Sequence, residues 1–217
     1  MALTLVIGNK KYSSWSLRPW IAMRNAGIAF EEMIFELYTN EFRKGVGRYS
    51  PAGKVPVLLD GDAVIWESIA ILEHLAEKFP DAHLWPAEPK ARAHARSIAT
   101  EMHGGFAALR SHCPMNLARP VRKRVLTLEV EANVTRIDEM WSEARQQFGK
   151  GGPFLFGPFG AADAMYAPVA ARIHHYDIAV SPISRAYVDS IRALPAYREW
   201  ETAGLKESWV MPGNEVD

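Results

Sequence analysis

Residues 80–89, PDAHLWPAEP, hold three prolines and no hydrophobic period. They divide the 217-residue chain into halves written on different repeats. Ahead of the break, runs with a strand's alternation alternate with runs at helical spacing. Behind it, only the helical spacing continues. That division constrains the fold more than any single residue does.

The first half begins with ALTLVIG at 2–8, a short apolar run containing Thr, Val and Ile and bounded by Asn9 and Lys10, which reads as a buried strand. KYSSWSLRPW and IAMRNAG follow. Leu17, Ile21 and Met23 or Arg24 recur at helical spacing, and Gly27 suits a C-cap. Ser14 and Ser16 are both candidate N-caps; with Ser16 as cap, Pro19 falls in the first turn, where its missing N–H costs little. IAFEEMIFELY at 28–38 alternates apolar and acidic side chains, as a second strand would, and 40–49 is polar, a short helix or a loop. Val55, Val57, Leu58 and Leu59 run into Asp60-Gly61-Asp62, and Ala63 to Trp66 resume the apolar run, which predicts a hairpin. Glu67 and Ser68 then open a helix carrying Ile69, Leu72, Ala76 and Phe79. The order β-α-β-α-β-β-α predicts an α/β domain.

In the second half, Val134, Ile137, Trp141, Ala144 and Phe148 make a core-facing stripe on the longest helix. The loop FGKGGPFLFGPFG follows, then a helix from Ala161 and two shorter ones near 184–193 and 196–206. The polar tail from Met211 is expected to fray. The chain thus divides into an α/β domain at 1–80, a linker at 81–89 and an all-helical domain at 90–217.

Composition narrows the partners. Lys plus Arg equals Asp plus Glu at 25 each, so no global field draws nucleic acid or an anionic membrane surface. The patch Arg119, Arg122, Lys123 and Arg124 reads as a solvated helix start. Cys113 is the one cysteine, which excludes an intramolecular disulfide and a cysteine-rich zinc site and fits a reducing, cytoplasmic compartment. It lies in the helical half and reads as a bystander. MALTLVIGNKKY has no basic leader or long apolar core, so it reads as strand rather than signal peptide. No stretch approaches the ~20 apolar residues of a membrane helix. His174 and His175 are adjacent and face different sides of a helix, so no metal pair is expected.

Three segments carry chemistry. They are Tyr12-Ser13-Ser14-Trp15-Ser16-Leu17-Arg18 at the mouth of the first helix, Lys54-Val55-Pro56 opening the third strand, and Glu67-Ser68 opening the third helix. A strand residue before a proline offers its backbone to an extended peptide, and an X-Pro bond in a tight turn here can be cis. Ser68 and the free N–H groups of a helix start suit a carboxylate. Glu67 suits an amine, and a serine hydroxyl at a helix start can hold a thiolate ionised. A small peptide with carboxylate, amine and thiol would satisfy all of these.

These segments, with Gly160-Ala161-Ala162-Asp163-Ala164-Met165, resemble the glutathione transferase family over nearly the whole chain. SSWSLRPWIA resembles the Ser-Ser-Cys motif of zeta-class members, among them maleylacetoacetate isomerases; GKVPVL resembles the Val-Pro strand with its cis proline; WESIAI resembles the Glu/Gln-Ser motif; and Asp163 matches the capping carboxylate of a buried helix. The resemblance implies a thioredoxin-like domain followed by a helical bundle, a homodimer, glutathione as co-substrate and no metal. It implies Ser13 as the thiol-activating serine with Ser14 as rival, Val55 and Pro56 against the cysteinyl backbone, Glu67 and Ser68 at the γ-glutamyl end, and Lys54 at the glycyl carboxylate. Trp15 stands where the motif has cysteine and Trp20 where a second arginine follows Arg18. Both changes remove polar groups from the second-substrate side, which points to a small hydrophobic electrophile. His103 and Arg110, seven apart on one face, are a substrate wall or simple packing. The expected activity is conjugation of glutathione, with isomerase or peroxidase chemistry on the same scaffold, or a non-catalytic binding module, as alternatives.

Overall fold

A computed structural model describes residues 2–216. Strands β1 (Leu3–Gly8), β2 (Phe30–Phe35), β3 (Val57–Asp60) and β4 (Ala63–Trp66) form one sheet in the order β2-β1-β3-β4. β1 runs parallel to β2 and antiparallel to β3, and β3 is antiparallel to β4. Helices α1 (Ser14–Asn25) and α3 (Ser68–Lys78) cover one face, while α2 (Asn40–Val46) covers the other. The unbroken apolar run of β1 follows from this: Leu3, Leu5 and Ile7 enter the main core with Leu17 and Ile21, and Val6 meets Phe42, Val46 and Val57 on the opposite side.

The remaining helices are α4 (Pro89–Gly104), α5 (Ala107–His112), α6 (Leu128–Phe148), α7 (Ala161–His175), α8 (Pro182–Ala193) and α9 (Pro195–Leu205). The centre is α7, buried all round from Ala161 to Ile173, and its six alanines before Arg172 let α1, α4 and α8 pack close to it. Its start is held by Asp163, whose carboxylate accepts from Gly160 N at 2.9 Å and Leu155 N at 3.1 Å. Burial pushes this carboxyl up to about 6 against those two bonds. The stripe on α6 is buried from Val134 to Ala144, with Trp141 packed edge-on to Tyr166 and Tyr187. Among the described residues, no helix is long and apolar enough to cross a membrane.

Three local expectations are corrected. The cap position of α1 is Ser13, with neither Ser14 nor Ser16 capping, because the helix starts at Ser14 and Pro19 lies inside it. The basic patch is no helix start: α6 begins at Leu128, and Arg119 is buried, its Nη1 donating to the carbonyls of Pro120 and Arg122 at 3.1 and 2.9 Å, and to that of His175. The tail is tied down through residue 215 and does not fray over that stretch. Glu207 accepts from Lys10 N at 2.7 Å and Lys11 N at 2.9 Å, Lys11 Nζ donates to the Trp209 carbonyl at 2.9 Å, and Asn214 Nδ2 donates to Met115 O at 3.2 Å. Glu215 accepts from the Tyr12 hydroxyl and from Asn116 Nδ2, so the polar tail answers donors of the 9–12 loop and of the segment after α5 that would otherwise stay open.

Candidate functional site

The loop after β1 is the first wall of the site. Ser13 N donates to Asn9 O at 3.0 Å, which folds the chain back just before α1. Ser16, fully buried on the first turn, accepts from Gly8 N at 3.1 Å and from the Ser13 hydroxyl at 2.8 Å. Ser13 and Ser14 are 5% and 8% exposed and both face the cleft. The second wall is the Val55-Pro56 turn, whose peptide bond is cis. The pairing of Val57 with Trp66 sets Glu67 beside it. Glu67 holds φ at +68°, a left-handed conformation that a non-glycine residue adopts only when its surroundings enforce it.

These walls enclose one cleft of about 770 Å³ between the sheet and the helical half. Tyr12, Ser13, Ser14, Trp15, Lys54, Val55, Pro56 and Glu67 line it from the sheet side. Arg110, Pro114, Met115 and Arg172 line it from the helical side, and Met211, Gly213 and Asn214 of the tail lie along its rim. Three expected residues stand apart, and one of them, His103, lies behind Trp15 without lining the cleft. Ser68 is fully buried and its hydroxyl donates to Met165 Sδ at 3.7 Å, so it does not line the cleft; only its backbone sits at the start of α3. Trp20 lies behind the site, packed on Trp200 and Phe30 with its Nε1 donating to Glu32 at 2.8 Å, and takes nothing from the second-substrate side.

His103 and Arg110 do not share a helix face. Gly105 ends α4, and Phe106 at φ +58° turns the chain into α5. They converge nonetheless on Trp15: His103 packs edge-on at 5.3 Å, and the Arg110 guanidinium lies 5.4 Å from the ring. His103 also reaches the Glu67 carboxylate at 3.3 Å, across the two halves. Burial holds its imidazole below the usual value, with Glu67 opposing.

The electrostatics were not legible in the motifs. Arg18 is fully buried, its guanidinium 3.9 Å from the centre of the Trp15 ring, and none of its three nitrogens has a hydrogen-bond partner. Burial pushes it well below an ordinary arginine, and the charges of Arg172 and Arg110 add to that. Arg172, lowered to about 10 by burial, donates to Cys113 O at 2.8 Å and Pro168 O at 3.1 Å and pairs with no carboxylate among the described residues. Tyr166 and then Glu67 oppose the shift of Arg18, Glu67 being the carboxylate of the two. Arg172 had one sequence signal, a charge inside the otherwise apolar MYAPVAARI; Arg43, also lining the cleft, and the tail had none. The Tyr12 phenol is pushed up to about 12 by burial and its bond to Glu215, so it is a neutral donor at physiological pH. Among the described residues no group of three or more His, Cys, Asp or Glu is arranged to hold a metal ion.

Residues 12–78 match the family model for the N-terminal domain of glutathione S-transferases, and 128–203 match that for the C-terminal domain. A probable maleylacetoacetate isomerase of Caenorhabditis elegans is 36% identical over 96 residues, 44% of this chain; the chain spans 44% of that relative's length. A stringent starvation protein A homolog of Coxiella burnetii is 27% identical over 95% of this chain and 92% of its own. A glutathione transferase homolog from Burkholderia, solved with bound glutathione, superimposes with a TM-score of 0.70 at 22% identity, covering 95% of this chain and 100% of the other.

Proposed function

The chain belongs to the glutathione S-transferase family, and we propose that it binds glutathione in the described cleft, ionises its thiol and directs the thiolate at an apolar acceptor bearing an anionic group. The observation that carries this reading is the convergence, on one cleft, of the serines opening α1, the Val55-Pro56 turn and Glu67.

Each part of the tripeptide then meets a fitting group. The Val55 backbone pairs with the cysteinyl backbone. Glu67 faces the γ-glutamyl ammonium, and the free N–H groups at the start of α3, that of Ser68 included, take its carboxylate. Lys54 and Arg43 are the cations available to the glycyl carboxylate. The sulfur lies at Ser13, near the N-terminus of α1. A free thiol titrates near 8.5, and lowering that by about two units needs roughly 2.7 kcal/mol of preferential thiolate stabilisation. A hydrogen bond to a charged group contributes about 1.5–3 kcal/mol and a helix N-terminus a further ~0.3–1. The thiol proton leaves to solvent, and the thiolate attacks an electrophilic carbon held against Trp15, Pro114, Met115 and Met211. Those side chains suit the apolar acceptor read from the sequence; Arg110 and Arg172 add a cationic corner that a wholly apolar molecule would leave unsatisfied.

The test is a titration of glutathione's thiolate absorbance with protein in excess, on wild type and Ser13→Ala. A midpoint well below the free value, lost in the variant, supports the reading. Replacing Arg110 with Met should lower kcat/KM about ten-fold or more for a carboxylate-bearing acceptor and leave a neutral one unchanged, from the loss of one charged hydrogen bond. A second reading, a glutathione-binding module without turnover, has two observations behind it. The Ser13 hydroxyl points its proton at Ser16, and the relative matched along nearly its full length is named for starvation rather than for a transferase. Bound glutathione that ionises as it does in water would establish it. Light scattering tests the homodimer that the resemblance implies.

A further inference from the structure

The Ser13 hydroxyl presents a difficulty that the structure also resolves. Its proton goes inward to Ser16 Oγ at 2.8 Å, and Ser16 Oγ also accepts from Gly8 N at 3.1 Å. As arranged, Ser13 has no proton to give a thiolate, and Ser16 carries a proton that neither bond uses. We propose that Ser16 is a positioning residue for thiol activation, a relay that takes over the hydrogen bond Ser13 gives up. This rests on the glutathione reading of the cleft.

The exchange balances. When the thiolate arrives, the Ser13 O–H rotates from Ser16 to the sulfur. The Ser16 O–H rotates to the lone pair thus vacated on Ser13, and Gly8 N–H stays on Ser16 Oγ. The result is one chain, N–H to O–H to O–H to S⁻, in which every donor has an acceptor. No proton leaves either serine; the one lost is the thiol's own, to solvent. Both serines are nearly or wholly buried, at 5% and 0% exposed, so water does not replace the inner links. In such a chain each bond polarises the next and strengthens the terminal donor. Gly8 closes β1, so the backbone donor feeding the chain is fixed by the sheet.

An alternative role makes an opposite prediction. If Ser16 only competes for the Ser13 proton, removing it frees Ser13 and lowers the midpoint of the bound thiol. The experiment is the thiolate titration on wild type, Ser13→Ala, Ser16→Ala and Ser16→Thr. Binding of S-methylglutathione, which has no thiol to ionise, checks that the cleft is intact in each. The relay predicts that Ser13→Ala returns the midpoint close to the free value, and that Ser16→Ala raises it by a few tenths of a pH unit, about two- to four-fold less thiolate below the midpoint. S-methylglutathione affinity stays unchanged, and Ser16→Thr, which keeps the hydroxyl, restores the midpoint. A midpoint unchanged or lowered in Ser16→Ala, while Ser13→Ala raises it, overturns the relay alone. No rise with Ser13→Ala overturns the Ser13 reading and the relay with it. If Ser16→Ala fails to fold, Ser16→Thr decides: a wild-type midpoint supports the relay, and a raised one with intact S-methylglutathione binding overturns it.

Discussion

Replacing Arg18 with Met should make the ligand-free protein more stable. The guanidinium is fully buried, its three nitrogens have no hydrogen-bond partner, and two further arginines repel it. Replacing buried ionic groups with well-packed apolar side chains of similar volume is neutral or stabilising by about 1–4 kcal/mol. Met is unbranched and follows the same path, which limits the cavity left behind. Against this stands the contact with the Trp15 ring at 3.9 Å, a cation–π pair contributing up to about 2 kcal/mol when desolvated. The net expectation is a gain of about 1–2 kcal/mol, and at ~2–4 °C per kcal/mol for a chain of this size the melting temperature rises by roughly 2–8 °C. Urea unfolding at pH 7, with the slope m compared between the two proteins, measures the gain directly. A loss of stability of more than about 2 kcal/mol at unchanged m refutes the reasoning, since it means Arg18 is already compensated without a ligand.

Asp163→Ala leaves the buried Leu155 N–H and the half-buried Gly160 N–H without an acceptor, and at about 1–3 kcal/mol for an orphaned buried group, less for the half-buried one, the variant should lose roughly 2–5 kcal/mol in urea unfolding. His174 is lowered to about 4, by burial first and then by the charges of Arg192, His175 and Arg185. A depressed value means its contribution is present above ~6.5 and is lost as pH falls through 4, so His174→Gln should flatten the stability-versus-pH curve between those limits; an unchanged curve would count against it. Gly204 lies against the loop that carries Ser13, and a Cβ there would stand 2.9 Å from Lys11 N and 3.1 Å from Lys10 C. Both neighbours are backbone, so Gly204→Ala should cost about 1–3 kcal/mol in thermal unfolding and raise KM for glutathione.

The elements legible in the sequence are those whose burial is set locally. The α6 stripe shows its pattern because one face of the helix is buried, and β1 shows an unbroken apolar run because both of its faces are. Trp20 misled because its place opposite a motif arginine suggested the cleft; α1 is buried nearly all round, so position on the helix did not reveal which side faced the ligand. Ser68 has the residue type for a carboxylate, but its side chain turns into the interface with α7, a matter of tertiary packing. His103 and Arg110 were joined by a helical count that Gly105 and Phe106 break, yet both reach Trp15 by separate routes. The cationic corner is assembled from α5 and α7, and no spacing within the chain could announce it.

The serine loop itself depends on both halves. Lys10 O accepts from Trp200 Nε1 at 2.9 Å, Lys11 O accepts from Leu117 N at 3.2 Å, and the N–H groups of Lys10 and Lys11 both end on Glu207. α1, which starts at Ser14, buries Leu17, Trp20 and Ile21 in the core it shares with α7 and α9. Cut after residue 80, the sheet half would keep every motif that its sequence shows but uncover the face of Trp20 that packs on Trp200 and leave four backbone groups around the loop without partners. Fully burying one large apolar side chain stabilises by about 1.5–3 kcal/mol, so losing part of that at Trp20 is a large fraction of the stability of a small domain. The geometry that aims Ser13 and Ser14 at the cleft is therefore a property of the two halves together, and under the proposed function the helical half would serve thiol activation by fixing that loop as well as by walling the acceptor.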